Sequence, residues 1–213
     1  MRQYSIDARN IKNPIYPCPI QMGGKNANGQ MLSIGNYYLS LDGKPFFGIC
    51  GEAHFSRINR ELWEDEIIKM KAGGLNMIAT YIFWIHHEEI EGTFDFSGNK
   101  DLRLFLELCK KNHMYVILRI GPFSHGECRN GGFPDWIYGQ PFDIRCDDPS
   151  YLYYTRRFYE QIYQQAKGLL FKDNGPVIGV QLENEHEHAS CPWEMTTENS
   201  KEWVVSGHDG KNH

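Results

Sequence analysis

No run of about 20 apolar residues occurs anywhere in the 213-residue chain, so no membrane-spanning helix is expected. The amino terminus, Met1-Arg2-Gln3-Tyr4-Ser5-Ile6-Asp7, lacks the apolar stretch of a secretion signal, and the compartment stays open. Positive charge is not in excess: the net charge is -5, which offers no basic surface for nucleic acid. Six cysteines are scattered without a CxxC pair. Cys50 and Cys109 fall in apolar segments, so buried free thiols are expected rather than a disulfide framework. No strand is followed by GxGxxG or GxxxxGK[ST], which removes the nucleotide-binding fingerprints. No GxSxG elbow is present to mark a serine nucleophile, and no internal repeat of fixed period occurs.

Aromatic residues, by contrast, make up 14% of the chain, which suits either a sugar-stacking cleft or an ordinary aromatic core. Residues 1–34 carry Pro14, Pro17, Pro19 and a Gly/Asn-rich patch, and read as an irregular lead-in. Residues 35–45 read as a hairpin turning at Asp42-Gly43. Its return strand is expected to continue through Phe46–Gly51 as the first strand of the main domain. Residues 61–72 carry Trp63, Ile67 and Met70 at helical spacing and end at Gly73-Gly74. Strands are expected near 75–81, 114–120 and 177–182. A helix over 101–111 has Leu102, Phe105, Leu106 and Cys109 on one face. Another begins at Asp148-Pro149, a cap residue followed by proline at the first helical position. Strand–helix alternation of this kind predicts an α/β domain with a parallel sheet. Periodicity alone leaves a doubly wound sheet and a (β/α)8 barrel both open.

The Val177 strand reads as a fully buried strand that ends in Glu183-Asn184-Glu185. Buried charge must be paired or neutralised, and in parallel α/β folds ligands sit at the carboxyl ends of strands. The other strands also deliver polar or aromatic groups to that edge: His54 after the first, Tyr81 at the end of the second, and Ser124-His125-Gly126-Glu127 after the third. Two or more carboxylates in an aromatic cleft suit glycoside hydrolysis, in which one protonates the leaving oxygen and another attacks or stabilises the anomeric carbon. A metal site has weaker support. His186-Glu187-His188 lacks the i, i+4 spacing of HExxH, His86 and His87 read as loop histidines, and His125 and Cys128 have no partner pair. No metal or other cofactor is expected.

Four segments, taken in order, resemble glycoside hydrolase family 35, the β-galactosidases. Gly175 to Glu185 (Gly-Pro-Val-Ile-Gly-Val-Gln-Leu-Glu-Asn-Glu) is similar to that family's GGP…QxENE signature. His54-Phe55-Ser56-Arg57 is similar to HYSR, and Thr80 to Trp84 to TYVPW. Ile117 to Pro122, with Glu127 and Gly131-Gly132-Phe133-Pro134, is similar to ILRPGPY, AEW and GGxPxW. The resemblance implies a (β/α)8 barrel, of which residues 35–213 would form the amino-terminal half with about four βα units. It implies retaining hydrolysis of terminal β-galactosides, with Glu185 as general acid/base and a nucleophilic glutamate beyond residue 213. Tyr81, Glu127 and Asn184 match sugar-binding positions, and His125 and Gly126 fall in the same pocket. The 213-residue chain is expected to be inactive and poorly stable alone; relatives are often secreted, periplasmic or lysosomal. Departures cluster in the pocket: Phe83 and Ile85 stand for a proline and an asparagine, Ser124-His125-Gly126 for ICA, Cys128 for a tryptophan, and His186 for an aromatic residue. The competing reading is a non-catalytic sugar-binding relative, or a β-glycosidase with another sugar specificity.

Overall fold

A computed structural model describes residues 14–18 and 22–185. They fall into two compact units that divide between Gly48 and Ile49, rather than at the 34/35 boundary expected from sequence. The first unit is not irregular. Strands β1 (Gly23–Lys25), β2 (Met31–Ile34), β3 (Leu39–Leu41) and β4 (Lys44–Phe46) form an antiparallel sheet in that order. The expected hairpin turn is present: Asp42 and Gly43 both have positive φ, 53° and 74°, as a tight two-residue hairpin requires. The Asp42 carboxylate also accepts the Met31 N–H at 2.7 Å, which ties the turn to β2.

The second unit is α/β. Strands β5 (Cys50–Glu52), β6 (Met77–Tyr81), β7 (Tyr115–Gly121) and β8 (Val177–Leu182) form a parallel sheet in sequence order. The continuous strand expected over residues 46–51 is therefore two: β4 belongs to the antiparallel sheet and β5 to the parallel one. Helices α1 (Trp63–Ala72), α2 (Trp84–His87), α3 (Leu102–Lys111) and α4 (Pro149–Ala166) intervene. Their ends follow the sequence. The Asp101 side chain accepts the Leu104 N–H at 2.9 Å, and Asp148 accepts the Ser150 N–H at 2.8 Å with Pro149 at the first helical position. Such caps satisfy donors that the first turn leaves unpaired. None of the helices among the described residues is long and apolar enough to cross a membrane.

Strand alternation sorts the sheet into two faces. Ile78 on β6 and Val116, Leu118 and Ile120 on β7 join one core with Leu102, Phe105 and Leu106 of α3 and Phe158 and Ile162 of α4. Trp84 stacks on Phe158 with rings 4.9 Å apart and 3° from parallel. Its indole N–H donates to the buried Glu88 carboxylate at 2.7 Å, which Arg157 also contacts at 3.1 Å. The opposite face carries Tyr81, Arg119 and Gln181 in register across three strands, and Glu52 opposite Ala79, two residues before Tyr81.

Two burial expectations fail. β8 is not fully buried: Val177 is, but Val180 and Leu182 are about half exposed. They share the helix-facing side with Leu118, and β8 is the sheet edge among the described residues. Cys50 is exposed for the same reason, on the opposite edge strand, whereas Cys109 is buried as expected.

Candidate active site

The carboxyl ends of the four parallel strands converge on one side chain, Arg119. In the apolar run Val116 to Ile120 it falls on the face opposite the helices, beside Tyr81 on β6 and Gln181 on β8. Its guanidinium lies 3.7 Å from the Tyr81 ring centroid, within cation–π range. Its three nitrogens reach three different groups. Nε donates to Gln181 Oε1 at 3.0 Å, Nη2 to Asn184 Oδ1 at 2.9 Å, and Nη1 to Glu52 Oε1 at 2.7 Å. The Tyr81 hydroxyl donates to the same Asn184 oxygen at 2.7 Å. Gln181 Nε2 adds a third donor at 3.3 Å, so the Asn184 amide is fixed through its oxygen, which leaves its NH2 available as a donor. The planar five-donor fork of arginine suits this bridging task; a lysine ammonium does not.

Burial holds the Tyr81 hydroxyl protonated, pushing its pKa up to about 12; Arg119 opposes this, while the negative charges of Glu52, Glu185 and Glu127 add to it. Glu127 and Glu185 therefore both act on Tyr81, although neither is bonded to it in the described contacts. Both are exposed at the rim. Glu127 also lines a cleft of about 370 Å³ with Arg57, Ile85, His86 and Arg129 among its walls. His54 packs its ring 5.3 Å from both Tyr81 and Phe83. Its Nδ1 accepts the Tyr81 N–H at 3.4 Å, which leaves Nε2 to carry the proton toward Glu52, 3.3 Å away. Burial lowers its pKa, with Glu52 opposing.

The pocket residues after β7 are set by a close approach. Gly126 has φ +51°, and a Cβ there would stand 3.0 Å from the Phe83 ring and 3.3 Å from that of Tyr81. Gly131, at φ +62°, is tighter still, since a Cβ would overlap the Phe123 ring. His125 points into solvent with its ring 6.1 Å from Phe123, outside the Arg119 network.

Behind the rim lies a buried knot. Glu183 is buried, and burial pushes its pKa up to about 7, against the pull of Arg145 and of the Asn184 and Phe123 backbone N–H groups. The raised carboxyl is thus one that faces inward. Arg145 Nη2 lies 3.5 Å from Glu183 Oε1 and donates to the carbonyls of Asn184 and Glu185 at 2.8 and 3.0 Å.

The model of the glycosyl hydrolases family 35 matches residues 38–209. The chain belongs to this family. A β-galactosidase of Xanthomonas manihotis is 37% identical over 169 residues, covering 79% of this chain and 28% of that protein. The Homo sapiens β-galactosidase is 39% identical over 167 residues, covering 77% of this chain and 25% of its own length. The chain thus spans about a quarter of the curated relatives it matches. Among solved structures, an exo-β-1,4-mannosidase, Op5Man5, of Opitutaceae bacterium strain TAV5 aligns at a TM-score of 0.58 with 16% identity, over 85% of this chain and 30% of that one. That likeness concerns the fold: the structural neighbours are TIM-barrel glycosidases.

The structure therefore joins Tyr81 to Asn184 directly and packs Gly126 on Tyr81. It places Glu127 and Glu185 around them at longer range, and sets His125 apart. Arg119, Gln181, Glu52 and Arg145 were missed as site residues. Arg119 had a signal: a lone arginine on the open face of an apolar strand must find partners. Gln181 had the same alternation behind it. Arg145 had none, because its partners Phe123, Glu183, Asn184 and Glu185 lie in other segments of the chain. Among the described residues no group of three His, Cys, Asp or Glu side chains gathers as a metal site; His186 and His188 lie outside them, as does the segment 207–213.

Proposed function

We propose that this family 35 chain supplies, from Ile49 onward, the amino-terminal part, about four βα units, of a (β/α)8 catalytic domain. Its full-length protein is a retaining exo-β-glycosidase that removes terminal β-linked galactose from oligo- or polysaccharides. The observation that carries this reading is the Arg119–Tyr81–Asn184 network at the carboxyl edge of the sheet, with Glu185 next to the fixed amide in sequence and both Glu185 and Glu127 within electrostatic reach of Tyr81. Glu185 is the general acid/base: it protonates the glycosidic oxygen, then deprotonates the water that resolves a covalent sugar–enzyme intermediate. The nucleophile is a carboxylate supplied beyond these 213 residues, about 5–5.5 Å from Glu185, the separation that retention requires. Asn184, Tyr81 and Glu127 bind sugar hydroxyls, and Gly126 with His125 shapes the adjacent wall. No cofactor takes part.

Specificity is the finer point. Phe83, Ile85, His125 and Gly126 stand where the family pattern has other residues, and Phe83 packs on the glycine that a side chain there would displace. The test is hydrolysis of a panel of aryl β-glycosides by the full-length protein, with the product anomer read by NMR. Turnover of the galactoside with retention is the expected result. Turnover confined to another sugar refutes the galactose assignment, inversion refutes the mechanism, and an unaffected Glu185→Gln variant refutes the acid/base assignment.

A further inference from the structure

Three residues with side chains adopt left-handed backbone conformations where three separate segments meet: Arg145 at φ 59°, Glu183 at 56° and Glu185 at 44°. Such a backbone is strained for a residue with a side chain and persists only where its surroundings hold it. The holding contacts are explicit. Glu183 Oε1 accepts the Asn184 N–H at 3.0 Å, and the Phe123 N–H also supports this carboxylate. The Glu183 N–H donates to Gly121 O at 2.6 Å, and that carbonyl also accepts the Tyr159 hydroxyl at 2.6 Å. Arg145 stacks on the Phe123 ring at 3.9 Å while binding the Asn184 and Glu185 carbonyls. The loop after β7, the segment before α4, α4 itself and the end of β8 are thereby laced together directly behind Asn184 and Glu185.

The side chains that do this are hidden: 3% of the Arg145 side chain and 10% of that of Glu183 are exposed. Neither faces the open rim, so neither touches substrate. A buried ion pair adds little net stability over an apolar replacement, so stability does not explain its presence. What it does accomplish is to impose one backbone path on the residue that carries Glu185. We propose that Glu183 and Arg145 are positioning residues for the acid/base carboxyl, setting the backbone turn that aims Glu185 at the glycosidic oxygen. This rests on the acid/base reading of Glu185.

A misaimed acid harms reactions in proportion to how much protonation the leaving group needs. The full-length protein and its Arg145→Lys, Glu183→Gln, Glu183→Asp and Glu185→Gln variants are assayed on the β-glycoside that the panel identifies. That sugar is prepared once with a dinitrophenyl and once with an alkyl leaving group. Arg145→Lys and Glu183→Gln should lower kcat/KM on the alkyl glycoside about 10- to 100-fold, part of the 10²–10⁴ that general acid catalysis supplies. On the dinitrophenyl glycoside kcat/KM, which reports formation of the intermediate and not the later base-assisted hydrolysis, should change less than about threefold. Equal losses on both leaving groups would mean a general structural role and overturn the proposal, as would no loss on either. Glu183→Asp, which keeps the charge, supplies the same comparison if Gln at this site prevents folding. Glu185→Gln separates the two readings. If it does not discriminate between the leaving groups, the acid/base assignment fails and takes the proposal with it. If it discriminates and the Glu183 and Arg145 variants do not, only the positioning role fails.

Discussion

Replacing Arg119 by methionine removes the group on which four strand ends converge, while keeping a side chain of similar length. The bond to Glu52 is partly exposed, with 43% of that carboxylate side chain in solvent, so its loss costs at most about 1 kcal/mol. The bonds to Gln181 and Asn184 are charge-assisted and less accessible, worth roughly 1.5–3 kcal/mol each before coupling. The stacking on Tyr81 adds about 1 kcal/mol. These contributions share partners and do not add, and water will reach part of the vacated space. A net loss of about 2–3 kcal/mol is therefore expected, with an arginine-to-lysine change close behind because an ammonium cannot span three acceptors. Urea unfolding at neutral pH measures it as a lower midpoint at unchanged slope. A cycle with Asn184→Ala should show a coupling of about 1 kcal/mol or more, since the two side chains bond at 2.9 Å. A loss below about 0.5 kcal/mol, or additive single and double variants, would refute Arg119 as the organising residue.

Glu183 predicts a pH dependence of opposite sign to that of an ordinary paired carboxylate. Burial raises its folded pKa from 4.5 to about 7, so its contribution is fully present below about pH 4.5 and is lost as pH rises through about 7, by up to about 3 kcal/mol. Tyr151 and Tyr159, which face it, are pushed up by burial, so they do not titrate in this window. Urea unfolding at pH 5 and pH 8 should show the wild type losing stability relative to Glu183→Gln; a parallel pair of curves would count against the assignment. Gly126→Ala should cost about 1–3 kcal/mol, from strain at φ +51° and the 3.0 Å approach to Phe83. A Phe83→Leu background should recover part of that loss in thermal melts; no recovery would mean that Phe83 is not the obstacle. Trp84→Phe leaves the fully buried Glu88 carboxylate one donor short, and a lower melting temperature equivalent to about 1–3 kcal/mol is expected.

Local chemistry made much of the second unit legible. Aspartates at 101 and 148 mark helix starts because a carboxylate caps free N–H groups wherever it stands. The stripe from Leu102 to Cys109 marks its own buried face because helical period is a local property. Tyr81, Asn184, Glu127 and Glu185 could be read as lying at the strand ends because strand ends follow from alternation and turn residues. Where neighbours decide the outcome, reading failed. The run 46–51 looked like one strand, but backbone bonding partners divided it between two sheets. Val180 and Leu182 looked buried because apolar sequence states a preference, whereas exposure at a sheet edge depends on what lies alongside.

By itself, the sequence determined the alternation of strands and helices, the caps, the turn at Asp42-Gly43 and the polar rim, since each depends on residues within a few positions. Only the tertiary structure decided which carboxyl is raised and which side chain organises the rim. Glu183 and Glu185 are chemically identical and two residues apart, but Glu183 is buried and that burial raises its carboxyl, whereas Glu185 lies exposed at the rim. Arg119 is central because Glu52, Tyr81 and Asn184, from three other strand ends, come within its reach. Desolvation and pairing are properties of a place in space, and they follow from packing that no single segment encodes.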